Sequence, residues 1–225
     1  MKSKADVVII GGGIQGTSVA FHLTQQGIRD VVLIEMDLIG SGSSGRSAAM
    51  VMQSMSREET IRLSQAAWNE YMHFADIVGA DVDFRRIGYL NLVTRRVQDE
   101  AHREMELQKK LGVPIEELDP HEAKSLAPIL NIEDISFAAY CRQDGYIDPH
   151  AAMQGYVHAA KAQGAEFYER VQATGIRLVN DRVVGVETTD GYVDTPVVVN
   201  SGGARAKEIA SWVGLDLPIT NYRRH

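Results

Sequence analysis

Val7-Val8-Ile9-Ile10-Gly11-Gly12-Gly13-Ile14-Gln15-Gly16, answered by Val31-Val32-Leu33-Ile34-Glu35, decides the fold of this chain. Each apolar run is unbroken rather than alternating. This predicts strands buried on both faces, as in a parallel sheet covered by helices. Gly11 lets the chain turn tightly off the first strand. Gly13, lacking a Cβ, lets the backbone approach a diphosphate, and Gly16 lets the following helix pack close to the sheet. That helix runs through Thr17–Gln26 and stops at Gly27. Its first turn, with Ile14 and Gln15, offers unpaired N–H groups and the positive end of the helix dipole. Glu35 ends the second strand, where a carboxylate can accept two ribose hydroxyls and repel a 2′-phosphate, so NADP is disfavoured. The competing reading is a glycine-rich turn that binds nothing. Against it stands the whole arrangement of strand, turn, helix, strand and acid, which is that of a dinucleotide site.

The stretch after Glu35 separates FAD from NAD. An NAD domain would continue with a polar turn and another helix. Here Met36-Asp37-Leu38-Ile39-Gly40 leads into Ser41-Gly42-Ser43-Ser44-Gly45-Arg46-Ser47-Ala48-Ala49-Met50. A glycine/serine loop with one arginine presents N–H groups, hydroxyls and a guanidinium to a diphosphate. A flexible linker is the alternative; Arg46 and the small apolar run after it argue against that.

On these stretches the chain resembles the D-amino acid oxidase/glycine oxidase/sarcosine oxidase superfamily of FAD-dependent amine oxidoreductases. Two later segments carry the same resemblance. They are Asp144-Gly145-Tyr146-Ile147-Asp148-Pro149-His150, followed by a helix ending Gln163-Gly164-Ala165, and Val197-Val198-Val199-Asn200-Ser201-Gly202-Gly203-Ala204. The resemblance implies an α/β fold (α+β overall). A Rossmann-like FAD-binding domain, with a parallel sheet and a β-meander, would occupy residues 1–78 and 145–217. Part of a substrate domain with an antiparallel sheet would occupy 79–144 and 218–225. It further implies that Gly11, Gly13 and Gly16 form the cofactor turn and that Glu35 and Met36 meet the adenosine ribose. Ser43, Ser44, Arg46 and Ser47 would face the pyrophosphate and ribityl chain. Ala48 to Met50 would approach the isoalloxazine, the main chain of Ala173 the adenine, and Gly202 would close against the cofactor. For Arg46 the plainer alternative is a surface salt bridge.

The 225 residues carry a net charge of −7, 44% hydrophobic content and one cysteine. That is enough for a substantial core. The negative balance and lack of a basic run argue against nucleic acid or an anionic membrane as partner. No apolar run approaches the ~18 residues of a membrane-spanning helix. The first apolar run is already a strand, which argues against a signal peptide. Cys141 cannot form an internal disulfide and fits a reducing cytoplasm, with burial in the core as its expected role. The histidines show no ligand spacing, so no metal is expected.

Further along, a helix is expected over Arg57–Val78, with Ile61, Ala66, Trp68, Tyr71, Met72, Ala75 and Val78 as a core face. A strand over Phe84–Thr94, a charged helix over Val97–Leu111 and a short helix over Pro120–Leu126, capped by Asp119, follow. Next come a strand over Ile135–Tyr140 and a helix over His150–Gln163. Strands are then expected at Glu166–Tyr168, Thr174–Val179, Arg182–Thr188 and Tyr192–Thr195, the last three a meander turned at Asn180-Asp181 and Asp190-Gly191. A buried strand over Val197–Asn200 and a helix over Ala204–Val213 end the series.

By the resemblance, the chain is expected to be an N-terminal portion of a family member. The reaction implied is hydride removal from the carbon beside an amine nitrogen of a glycine-, sarcosine- or proline-like substrate. The electrons would pass to oxygen, a quinone or a partner protein, and homo- or hetero-oligomers are expected. No catalytic acid or base is identified. Tyr89, Arg223 and Arg224 are candidate carboxylate contacts, outweighed by their reading as core or solvated strand positions. The alternative is a non-catalytic FAD-holding piece that needs a second chain.

Overall fold

A computed structural model describes residues 1–222. Arg223 and Arg224 lie outside the described residues. In chain order the elements are β1 (Val7–Ile10), α1 (Ile14–Gln25), β2 (Val31–Glu35), β3 (Met50–Val51), α2 (Glu58–Met72), α3 (Phe74–Val78), β4 (Tyr89–Thr94), α4 (Gln98–Lys110) and β5 (Ile115–Leu118). They continue with α5 (Pro120–Leu126), β6 (Ile135–Cys141), β7 (Gly145–Tyr146), α6 (Pro149–Ala162), β8 (Glu166–Glu169), β9 (Ala173–Val179), β10 (Arg182–Thr188), β11 (Gly191–Asp194), β12 (Val197–Asn200) and α7 (Ala206–Ser211). The chain divides into two compact units. One holds Met1–Ser47, Val78–Ala80 and the stretch from Pro149 onward; the other holds Ala48–Ile77 and Asp81–Asp148.

The first unit is built on a four-stranded parallel sheet in the order β12-β1-β2-β8. Val8, Ile9, Val31, Val32 and Leu33 are fully buried, the outcome that their unalternating sequence predicts. Each such side chain contributes about 1.5–3 kcal/mol on transfer from water. On one face α1 packs against α6, where Phe21 and Tyr156 lie 5.5 Å apart. On the other, Val8, Ile10, Val32 and Ile34 share a core with Ala173, Val186 and Val193 of the meander and Ile209 of α7. The meander is antiparallel, in the order β11-β10-β9. α1 ends as its sequence anticipates. Gly27 takes φ +89°, its N–H donates to the Thr24 carbonyl and the Ile28 N–H to that of Leu23, a full Schellman stop.

The second unit holds an antiparallel sheet, β4-β6-β5, and the two-stranded pair β3-β7. Its core joins Ile61 of α2 to Val93, Met105, Val113, Ile115, Phe137, Ala139 and Cys141. This places residues 48–77 with the second unit, where the sequence reading placed 1–78 in the cofactor domain. The buried anchor of α2 is Ile61, and its partners lie on β4, α4, β5 and β6. Residues 218–222 form no helix or strand and group with the first unit, where residues 218–225 were expected in the substrate domain.

Other differences have local causes. The helix expected over Arg57–Val78 breaks at His73, whose φ of −116° and ψ of 24° end α2. Of its expected core stripe, Ile61 and Val78 are buried, while Ala66 and Ala75 are exposed. The strand expected from Phe84 begins only at Tyr89, because Gly88 turns through φ +79°. No element was expected over Ile115–Leu118; β5 is an edge strand there, and both its glutamates are exposed. The expected cap at Asp119 is present as a capping box, with its carboxylate accepting the His121 and Glu122 N–H groups.

Candidate functional site

The carboxyl ends of β1, β2 and β12 converge at one end of the parallel sheet, the place where α/β folds open a crevice. Gly11 leaves β1 at φ +110°. A Cβ there would stand 2.3 Å from the Ser201 carbonyl oxygen, so this turn is closed to other residues. At Gly16 a Cβ would stand 2.0 Å from the Gly11 carbonyl oxygen. Its absence lets α1 descend onto the turn. Gly13 is the N-cap of α1 and provides no side-chain cap. The N–H groups of Gln15 and Gly16 therefore meet no acceptor among the described residues, while that of Ile14 donates to Ser44 Oγ at 3.0 Å.

The loop after β2 is bound to this turn rather than free. Gly40 N–H donates to the Gly12 carbonyl, Gly45 N–H to that of Gly40, and Arg46 N–H to that of Ser43. The His150 ring lies beneath it, so close that a Cβ at Gly45 would come within 2.8 Å of His150 Cε1. The linker reading of the glycine/serine run is thereby replaced by a fitted lobe. Glu35 is equally fixed. Its carboxylate accepts the Gly12 N–H at 2.7 Å and the Asp37 N–H at 2.9 Å. The Arg46 guanidinium forms no ion pair among the described residues.

These elements enclose a cleft of about 530 Å³. Of the residues singled out in the sequence, Gly11, Gly13, Ile14, Gln15, Glu35, Met36, Ser43, Ser44, Arg46, Ala173 and Gly202 line it. Gly16 lies under the turn, buried. Ser47 is exposed and its hydroxyl donates to the Ser44 carbonyl. Ala48 and Met50 belong to the second unit, where Met50 pairs with Tyr146. The sequence reading missed Asp37, Gln172, Ser201, Arg205, Glu208 and Trp212, which also line the cleft. Four of them, Ser201, Arg205, Glu208 and Trp212, follow β12 in the chain. Once Val197–Asn200 is taken as the neighbour of β1, the residues after it must flank the same crevice.

The cleft can take an extended, anionic ligand with a ribose at one end. Open N–H donors at a helix N-terminus and the Arg46 cation suit phosphate, and the oriented Glu35 carboxylate suits vicinal hydroxyls. No helix among the described residues is long and apolar enough to cross a membrane.

Comparison with known proteins agrees with this geometry. Human mitochondrial sarcosine dehydrogenase is 32% identical over 226 residues, covering 97% of this chain and 25% of that protein. The mitochondrial pyruvate dehydrogenase phosphatase regulatory subunit of Mus musculus is 29% identical, covering 93% of this chain and 24% of that one. The chain thus spans about a quarter of the length of these curated relatives. The crystal structure of L-proline dehydrogenase from P. horikoshii superposes with a TM-score of 0.89 at 31% identity, covering 98% of this chain and 58% of that one. The family model described as "DAO: FAD dependent oxidoreductase" matches residues 6–225, nearly the whole sequence, and the chain belongs to that family.

Proposed function

We propose that this chain holds FAD in the β1–α1–β2 cleft of an oxidoreductase that oxidises the C–N bond of an amino acid or a secondary or tertiary amine, of the glycine, sarcosine or proline kind. The observation that carries the reading is the pairing of a helix N-terminus whose glycine N-cap provides no side-chain cap with a carboxylate fixed at the end of the neighbouring strand. The residues fit the cofactor. Any Cβ at Gly11 or Gly16 would collide with backbone, and the cleft is lined by donors at one end and by Glu35 and Met36 at the other. When bound, FAD supplies the acceptor for a hydride from the carbon beside the amine nitrogen, leaving an imine that water hydrolyses.

The chain's own groups bind and orient. The Gln15 N–H group and the Ser44 hydroxyl are placed to donate to the diphosphate, and Arg46 balances its charge. Glu35, its two N–H partners holding it in place, keeps lone pairs for the ribose hydroxyls. Ser43 borders the diphosphate beside Ser44, the Ala173 backbone borders the base, and Gly202 allows close approach. Ser47, exposed in the loop after β2, would face the pyrophosphate and ribityl chain. The single buried cysteine favours the cytoplasm as compartment, and oxygen, a quinone or a partner protein would take the electrons.

A second reading, an FAD-holding piece that serves a partner chain without turning over an amine, is favoured by the relative named as a regulatory subunit. One experiment separates them. The purified chain is expected to show flavin absorption near roughly 370 and 450 nm that is released on denaturation. Anaerobic addition of sarcosine, glycine or proline should bleach the longer-wavelength band. Retained flavin with no bleaching by any amine would favour the second reading. A colourless protein that takes up no added FAD would refute both.

A further inference from the structure

We propose that Arg205 is a cofactor-positioning residue that clamps the adenosine half of the dinucleotide and makes this cleft prefer FAD to FMN; this rests on the assignment of the cleft to FAD. Arg205 stands just before α7, and its side chain lines the cleft mouth. Its Nε and Nη2 donate to the two carboxylate oxygens of Glu208 at 2.9 and 3.3 Å. That bidentate grip fixes the guanidinium plane. The third nitrogen, Nη1, reaches across the cleft mouth to Met36 Sδ at 3.1 Å, a contact between residues 169 positions apart.

A salt bridge serving only α7 would be confined to Arg205 and Glu208, three residues apart on one turn. It would not direct the remaining nitrogen onto the residue that follows Glu35. A thioether is a weak acceptor, so Nη1 gives up little when a ligand enters. Planar guanidinium groups stack on nucleobases and donate to ribose and phosphate oxygens. The charges point the same way. Glu35, Asp37 and Glu208 border the cleft against Arg46 and Arg205. Without Arg205, the acids at the Met36 end face an anionic ligand unbalanced.

The test uses the full chain freed of flavin and titrated with FAD, with FMN, and with ADP in competition against FAD, followed by flavin fluorescence. Arg205→Ala should weaken FAD and ADP together by about tenfold and leave FMN unchanged. Arg205→Lys, which keeps the charge but not the plane, should recover only part of the loss. Glu208→Gln should fall between wild type and Arg205→Ala. Circular dichroism and melting temperature identify a variant that fails to fold, and Glu208→Gln then carries the test. Unchanged FAD affinity in Arg205→Ala would reduce the pair to a surface salt bridge. Weakened FAD with unchanged ADP would move the effect to the flavin half. Either outcome overturns the clamp. Failure of the wild-type chain itself to bind FAD would instead overturn the cofactor assignment.

Discussion

The two units hold their polar groups in opposite ways. In the first, the important donors are backbone N–H groups uncovered by glycine, and they face a cleft. In the second, a carboxylate is the central group and it faces inward. Asp144, with no exposed surface, accepts the Gln53 N–H at 3.1 Å and the Ser54 hydroxyl at 3.2 Å. One arrangement leaves hydrogen-bonding capacity for a ligand; the other uses it up to join two distant segments. A site made by removing side chains can be read in a sequence. A junction made by one side chain that finds backbone ninety residues away cannot.

The largest effect should come from restoring a side chain where the first unit has none. Gly16→Ala places a methyl 2.0 Å from the Gly11 carbonyl oxygen, backbone against backbone. No rotamer relieves this, so α1 must move off the turn. We expect a loss of about 3 kcal/mol in stability together with loss of bound flavin. A yellow Gly16→Ala protein with the wild-type melting curve would show that the close approach is dispensable.

Next is Asp144→Ala in the second unit. It leaves the buried Gln53 N–H unpaired and should cost about 1 to 3 kcal/mol, the range for a buried donor stripped of its partner. The contrast with Gly16→Ala is sharpened by measuring FAD affinity on the surviving native fraction. Stability should fall much more than affinity. Equal losses in both would mean that the inward-facing network also shapes the cofactor site.

Glu35→Gln probes the cleft without steric change. Its carboxylate serves two backbone donors, Gly12 and Asp37, and is placed for ribose hydroxyls as well. An amide keeps one oxygen and turns an NH2 toward one of those donors. FAD and ADP should both weaken by about tenfold. FMN, which lacks the adenosine, should be unaffected, and a matching loss for FMN would count against Glu35 as the ribose acid.

The same contrast explains what the sequence disclosed. Gly11, Gly13, Gly16 and Glu35 were legible because each is required by a local geometry: a positive φ, a close approach, a strand end. The meander was legible from its paired turn residues. Arg205, Glu208 and Trp212 were not, since they reach the cleft only through the parallel pairing of Val197–Asn200 with Val7–Ile10. No local pattern encodes that neighbour. The α2 stripe misled for a related reason. Helical spacing of apolar residues gives a face but not its partner, and here the unit's core takes up Ile61 and leaves Ala66 exposed.

Cys141 gives the smallest effect, and one that changes with pH. Burial and, after it, the neighbouring Asp144 carboxylate push its thiol from the ordinary 9.0 up to about 12. In the native protein it should therefore resist a thiolate-specific reagent at neutral pH and react only on unfolding. The shift also works on stability. Between about pH 9 and pH 12 the unfolded chain has released the thiol proton and the folded one has not, so the unfolded state is favoured as pH rises. Lys2 adds to the same alkaline loss. Its hydrogen bond to Asp30 raises its pKa above 10.5, and that stabilisation is present below 10.5 and disappears as pH climbs through the raised value. Cys141→Ala removes the first contribution and leaves the second. At pH 7 it should cost about 1 kcal/mol for the lost sulfur contacts. Above pH 9 the wild type pays a penalty that the alanine variant does not, so the gap between them should narrow and then reverse. Denaturant unfolding of both proteins at pH 7 and pH 10 measures this directly, because the Lys2 contribution is common to the pair and cancels. A gap that stays constant would mean that the thiol titrates freely in the folded state, and that the inward-facing cluster around Asp144 is open to water.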